Sequence, residues 1–176
     1  MTNYLNSHLA VRKADVTLEL MSARVANQIC LENHYLHRKR VGKLLAYRVL
    51  HRDEDMGVLL FARPMVSGPM FGYQPTQIAE LARVWFSSNP KNLGSCAIRK
   101  ACKRIAIDWP GTQAIISWCD TSRFDGALYK ASGFDFRGLS RVRSIEPSAA
   151  THGGGRAGRK VQDDRLTRKQ RWLIEL

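Results

Sequence analysis

Between Glu80 and Gly133 the chain changes its hydrophobic period repeatedly, and each change is marked by turn residues. Ile78-Ala79-Glu80-Leu81-Ala82-Arg83-Val84-Trp85-Phe86 mixes polar and apolar positions and ends in a β-branched and aromatic run, the pattern of a partly buried strand. Ser87-Ser88-Asn89-Pro90-Lys91-Asn92 breaks it. Gly94 then opens a segment in which Ala97, Ile98, Ala101, Cys102 and Ile105 fall on one helical stripe and Arg99, Lys100, Lys103 and Arg104 on another. After Pro110-Gly111 a second strand, Ala114 to Cys119, ends at Asp120, and Gly126-Ala127-Leu128-Tyr129-Lys130-Ala131-Ser132-Gly133 reads as a short helix. A strand that feeds a glycine-led helix start exposes backbone amides there, which makes a candidate seat for an anionic ligand.

The flanking segments fit one domain built on the same sheet. Asp15 to Leu20 alternates as a first strand, Ser22 is placed to cap a helix over Ala23 to Glu32, and Lys43 to Leu50 and Val58 to Ala62 predict a hairpin around an acidic, glycine-ended link. Phe71 and Tyr73 lie in a loop rich in Gly and Pro, where they either touch substrate or cover a core edge. Phe134 to Gly138 alternates again, and Trp172-Leu173-Ile174 reads as a last strand returning to the sheet. With 176 residues and 44% apolar content, a single domain spanning 1–176 is expected. Its basic, glycine-rich segment around 147–165 is expected to be a flexible loop.

Charge is the most informative total. Lys and Arg number 28 against 15 Asp and Glu, a net of +13, and such an excess points to a polyanionic partner. Ser140 to Arg171 carries nine basic residues against three acidic. Arg38, Lys39 and Arg40 with Arg99, Lys100, Lys103 and Arg104 are the candidate phosphate contacts; a charged helix face is also the ordinary solvated kind. No apolar run approaches the ~20 residues of a spanning helix and the N-terminus lacks the layout of a secretion signal. The four cysteines show no pairing pattern, so the expectation is a cytoplasmic protein without a membrane partner.

The order of strand, glycine loop, helix, second strand and ALYKASGF resembles the core of the GNAT superfamily of N-acyltransferases. Glu80-Leu81-Ala82-Arg83, Ser117-Trp118-Cys119-Asp120, Gly126 to Ser132 and, upstream, Asn33-His34-Tyr35 resemble more closely the Mom family of phage DNA-modification proteins. The resemblance covers roughly residues 16 to 176. It implies an α/β fold with a mixed, mostly antiparallel, splayed sheet flanked by helices. It also implies transfer of a carbamoylmethyl-type group to the exocyclic amine of adenine in double-stranded phage DNA, in the host cytoplasm, as shelter from restriction. A homodimer stays open.

Under that resemblance Tyr129 stands where many GNAT enzymes carry the tyrosine that protonates the departing thiolate, a task that suits a neutral phenol. Packing on an amphipathic helix is its other reading. The phosphate-binding signature of the superfamily maps onto Lys91, Gly94 and Cys96, with two of its three positions substituted. The donor is therefore an acyl compound of open identity, with acetyl-coenzyme A in doubt. Ser95 either donates to an acyl or phosphate oxygen or caps the helix.

The resemblance also implies that Glu80 and Asp120 belong to the catalytic set and that Arg83 helps hold the donor. Glu80 and Arg83 lie three apart on a strand, so they share a face only if a bulge intervenes. His34 and Tyr35 are expected to shape the acceptor site, as a base and an aromatic face. A non-haem iron on His34, His37 and Asp120 is the metal alternative. The remaining function readings are an acetyl-coenzyme A-dependent N-acetyltransferase acting on tRNA-linked or protein amines, and a nucleic-acid-binding protein without catalysis.

Overall fold

The computed structural model describes residues 10–140 and 168–176. Seven strands form one sheet in the order β1-β2-β3-β4-β5-β7-β6: β1 Val16–Met21, β2 Leu44–His51, β3 Glu54–Ala62, β4 Ile78–Phe86, β5 Ala114–Asp120, β6 Asp135–Leu139 and β7 Lys169–Glu175. Helices α1 (Ala23–Asn33), α2 (Leu93–Asp108) and α3 (Ala127–Ala131) complete it. Every neighbouring pair is antiparallel except β4 and β5. The expected loop around 147–165 lies outside the described residues.

The hairpin is tighter than its composition indicates. Arg52 and Asp53 alone make the turn, with φ of 53° and 68°, a left-handed pair that gives a two-residue connection the twist of its flanking strands. Glu54 to Gly57, expected in the link, already belong to β3.

Strand alternation sorts the core into two layers. Leu59, Phe61, Ala79, Leu81, Ile115 and Cys119 face one way and pack with Leu93, Ala97, Ile98, Ala101 and Ile105 of α2. Ala46 and Leu60 face the other way, against Ala26 of α1, and Ile78, Ala114, Ile116 and Leu173 are covered by Met70, Phe71 and Tyr73. Of the two readings for that aromatic loop, covering a core edge is the one observed.

The single parallel contact positions the functional site. β4 and β5 pair only through Ile78, Ala79 and Glu80 against Ala114, Ile115 and Ile116. Beyond Glu80 the strands part. Ser117 Oγ donates to the Leu81 carbonyl at 2.9 Å, so a side chain supplies the last link across the gap before it opens.

Candidate functional site

The gap between the diverging strands holds a cavity of ≈ 400 Å³ lined by both strands, the end of α1, the loop after β5 and α3. His34, Tyr35, Arg83, Asp120 and Tyr129 all border it. These residues come from four separate stretches of sequence, and the splay brings them together.

Arg83 reaches the cavity because of a local irregularity. Leu60 pairs with Arg83 but Phe61 pairs with Leu81, so Ala82 is an extra residue in β4. The slip puts Glu80 and Arg83 on the same face, which regular alternation forbids. Glu80 itself lies beside the cavity and pairs with Arg40 at 2.5 Å. Arg83 Nη1 donates to the Ala82 carbonyl at 2.6 Å while its Nε has no hydrogen-bond partner. Burial lowers the Arg83 guanidinium from its usual value and nearby acids, Glu80 among them, act the other way.

His34 is 7% exposed at the end of α1, and its Nδ1 accepts the Leu36 amide at 3.2 Å. Burial, with the charges of Arg83 and His37 adding to it, lowers its pKa from 6.5 to about 4. A neutral ring whose Nδ1 is an acceptor carries its proton on Nε2. At neutral pH His34 is thus a hydrogen-bond donor, whereas the sequence reading casts it as a base. Tyr35 packs on His34 with centroids 4.4 Å apart and the rings tilted by 30°, and burial raises its phenol above the usual value, Asp120 adding to the effect.

Asp120, 2% exposed, ends β5 and accepts the Ser122 amide at 3.0 Å and hydroxyl at 2.7 Å. Tyr129 enters from the opposite face on α3, stacked on Trp172 and edge-on to Phe134. Burial pushes its phenol up to about 12, against a smaller opposing contribution from hydrogen bonding with Ser117. Tyr129 is therefore protonated throughout the physiological range. The short helix that carries it starts at Gly126, where φ is 83° and a Cβ would lie 2.2 Å from Gln170 Oε1 and 2.5 Å from Trp172. Only glycine allows that approach.

Lys91, Gly94 and Ser95 do not line the cavity. Ser95 Oγ donates back to the Asn92 carbonyl at 3.2 Å, the Lys91 carbonyl accepts the Val11 amide at 2.9 Å, and Cys96 Sγ lies 3.8 Å from the Val11 carbonyl. A Cβ on Gly94 would sit 2.8 Å from Leu128 and 3.3 Å from Phe86. The glycine thus serves packing between α2, α3 and β4, and Cys96, its Sγ turned to the Val11 carbonyl, puts a side chain where the superfamily's signature has glycine or alanine. These residues do not fit coenzyme A in the usual manner.

The iron set is likewise not assembled. His37 is exposed at the helix end with Nδ1 3.1 Å from the Leu31 carbonyl, away from the cavity, and among the described residues no three His, Cys, Asp or Glu side chains converge.

The basic residues divide. Lys100 Nζ bonds the Val16 carbonyl and Arg104 Nη1 the Leu18 carbonyl at 3.3 Å, while Arg104 also meets Asp108 at 3.1 Å. Both therefore hold α2 to the edge strand β1. Arg99 and Lys103 are exposed and join Lys13 in a second, open groove of ≈ 720 Å³. In the 38–40 segment, Asn27 brackets the Arg40 backbone, donating to its carbonyl at 2.9 Å and accepting its amide at 2.7 Å. Arg40 is spent on Glu80, Arg38 is half-buried, and Lys39 is exposed.

Sequence reasoning passed over Trp85, Asn89, Trp118, Phe124 and Asp125, all on the cavity wall. Trp118 had a signal, since it alternates out of phase with Ser117 and Cys119 on a strand already identified. The others follow only from the splay.

Over residues 15–175 the sequence matches the model of the Mom protein family. The chain belongs to that family. No curated protein matches it. Solved structures similar to this Mom-family chain include a Bacillus subtilis acetyltransferase with CoA, at 14% identity and TM-score 0.57 over 92% of this chain and 99% of the other. A spermidine/spermine N-acetyltransferase of Vibrio cholerae with manganese ions aligns at 11% identity and TM-score 0.57, over 93% and 94%. The acetyltransferase AAC(6')-Ib with paromomycin and acetyl-CoA aligns at 13% and 0.58, over 92% and 93%. The fold of this Mom-family chain is therefore that of the GNAT transferases, as its sequence pattern implied. No helix among its described residues is long and apolar enough to cross a membrane.

Proposed function

We propose that this Mom-family protein is a DNA base-modifying transferase that places a carbamoylmethyl-type group on the exocyclic amine of adenine. The observation that carries this reading is the convergence of His34, Tyr35, Arg83, Asp120 and Tyr129 on one slot in a GNAT-fold sheet. In that slot the exocyclic nitrogen bonds to the methylene carbon of the donor as that carbon's bond to the leaving group breaks. Arg83, with its unpartnered Nε, holds the oxygen of the neighbouring carbamoyl group, and the donor enters without a diphosphate seat at α2. Asp120 takes the proton of the attacking amine. Tyr129 gives a proton to the leaving group, and the His34 Nε2–H orients the acceptor.

Double-stranded DNA is the polyanion that the +13 charge would attract, with Lys39, Arg99, Lys103 and Lys13 as its phosphate contacts. Modified adenine in host and plasmid DNA, measured by nucleoside mass spectrometry after expression, is the expected result. Unmodified nucleosides overturn the reading. The second reading, acetyl transfer from coenzyme A to an amine on RNA or protein, draws on the solved neighbours that carry CoA. It requires heat of binding when acetyl-coenzyme A is titrated into the protein, and the substituted signature positions Lys91 and Cys96 predict none.

A further inference from the structure

The mouth of the slot is built by the loop after β5, and that loop is tied down. The Asp120 carbonyl accepts the amides of Arg123 at 3.2 Å and Phe124 at 2.9 Å, its carboxylate holds Ser122, and Thr121 Oγ1 donates to the Arg168 carbonyl at 2.7 Å. The result is an aromatic ring held in the open. Phe124 is 49% exposed and meets Tyr35 edge to face at 5.4 Å, while the exposed Arg123 guanidinium sits 5.2 Å from the Tyr35 ring centroid. A loop anchored by this many bonds does not need a half-exposed phenylalanine for packing; the ring leaves a flat apolar face at the entrance, beside a cation.

We infer that this rim is a clamp for an unpaired nucleobase. Phe124 stacks on the entering base, Arg123 pairs with the adjoining phosphate, and the target nucleotide swings out of the duplex before it reacts. The inference rests on the DNA-modifying reading and adds how the amine arrives. Tyr129 and Arg83 wall a slot of ≈ 400 Å³ between two strands, into which a duplex cannot follow its own base. A single planar base can enter, and stacking on an aromatic side chain offsets part of what it loses on leaving the helix. Neither Phe124, on the cavity wall, nor Arg123, beside it over the Tyr35 ring, belongs to the motifs that brought His34, Asp120 and Tyr129 to notice.

Fluorescence anisotropy with the full chain tests the clamp, using labelled duplexes identical except that one adenine is paired with thymine or stands opposite an abasic site. The unpaired duplex should bind about tenfold more tightly. Phe124→Ala should erase that preference and Phe124→Trp should keep it, with circular dichroism confirming that both variants fold. A preference that survives in Phe124→Ala overturns the clamp. Equal affinities in the unaltered protein together with modified adenine in cellular DNA overturn the clamp alone; equal affinities with unmodified DNA overturn the DNA-modifying reading as well. Tighter binding to single-stranded RNA of the same sequence would overturn duplex DNA as the source of the base.

Discussion

The slot between β4 and β5 and the outer face of α2 are both rich in polar residues, yet they relate to the sequence in opposite ways. In the slot, residues from distant stretches converge, and their partners follow from one irregularity at Ala82 and one point of strand divergence after Glu80. On α2, four cations that look equivalent in sequence separate. Lys100 and Arg104 satisfy the carbonyls of an edge strand, and Arg99 and Lys103 open onto a groove. Successive helix positions are turned by 100°, so Arg99 and Lys100 meet different neighbours. Shared chemistry along a chain is weak testimony to shared purpose; shared location in the fold is stronger.

The largest effect that can sharpen this contrast is at Tyr129. Tyr129→Phe keeps the stacking on Trp172 and removes only the proton donor. Modified adenine per cell should fall about 100-fold or more, read by nucleoside mass spectrometry, while DNA affinity stays within twofold. Retained modification would mean that Tyr129 is not the general acid and that its place on α3 is one of packing against Trp172 and Phe134.

Next comes the acid titration of His34. Its folded pKa of about 4 lies below the unfolded 6.5, so between those values the unfolded chain holds more protons and stability rises with pH. The contribution is complete above pH 6.5 and lost as pH falls toward 4, about 3 kcal/mol in all. Denaturant unfolding at pH 7 and pH 4.5 should show the loss in the unaltered protein, and His34→Gln, which keeps an acceptor for the Leu36 amide, should lose less. Identical losses would place the acid sensitivity elsewhere and remove the reason for treating His34 as a permanently neutral donor.

Much of this fold was legible because hydrophobic period and turn residues agree locally. The strands at 78–86 and 114–120, the helix stripe of α2 and the return of Trp172 each follow from such agreement. The site was legible less evenly. Tyr129 and Asp120 sit at element boundaries that the sequence marks, but the partnership of Glu80 with Arg40 joins residues that are 40 apart, and the shared face of Glu80 and Arg83 depends on a bulge that no residue type at Ala82 announces. Gly94 shows the converse. Its position is what a phosphate-binding turn needs, while the space beside it belongs to Leu128 and Phe86, and only tertiary packing separates those two uses of glycine.

The smallest effects divide the cations of α2 directly. Lys100→Met with Arg104→Met leaves the Val16 and Leu18 carbonyls without their cationic partners. Water reaches an edge strand, so the cost should be modest, about 2 kcal/mol of unfolding free energy for the pair, with DNA affinity changed only through loss of general charge. Arg99→Ala with Lys103→Ala should do the reverse. Stability should hold within about 0.5 kcal/mol, as for exposed substitutions generally, while DNA affinity falls about tenfold. The slope of log affinity against log salt should shrink by about 2, because two phosphate contacts are gone. If both pairs weakened DNA binding with the same loss of salt slope, the helix would act as one uniform basic face, and the division drawn from its hydrogen bonds would have no bearing on the partner.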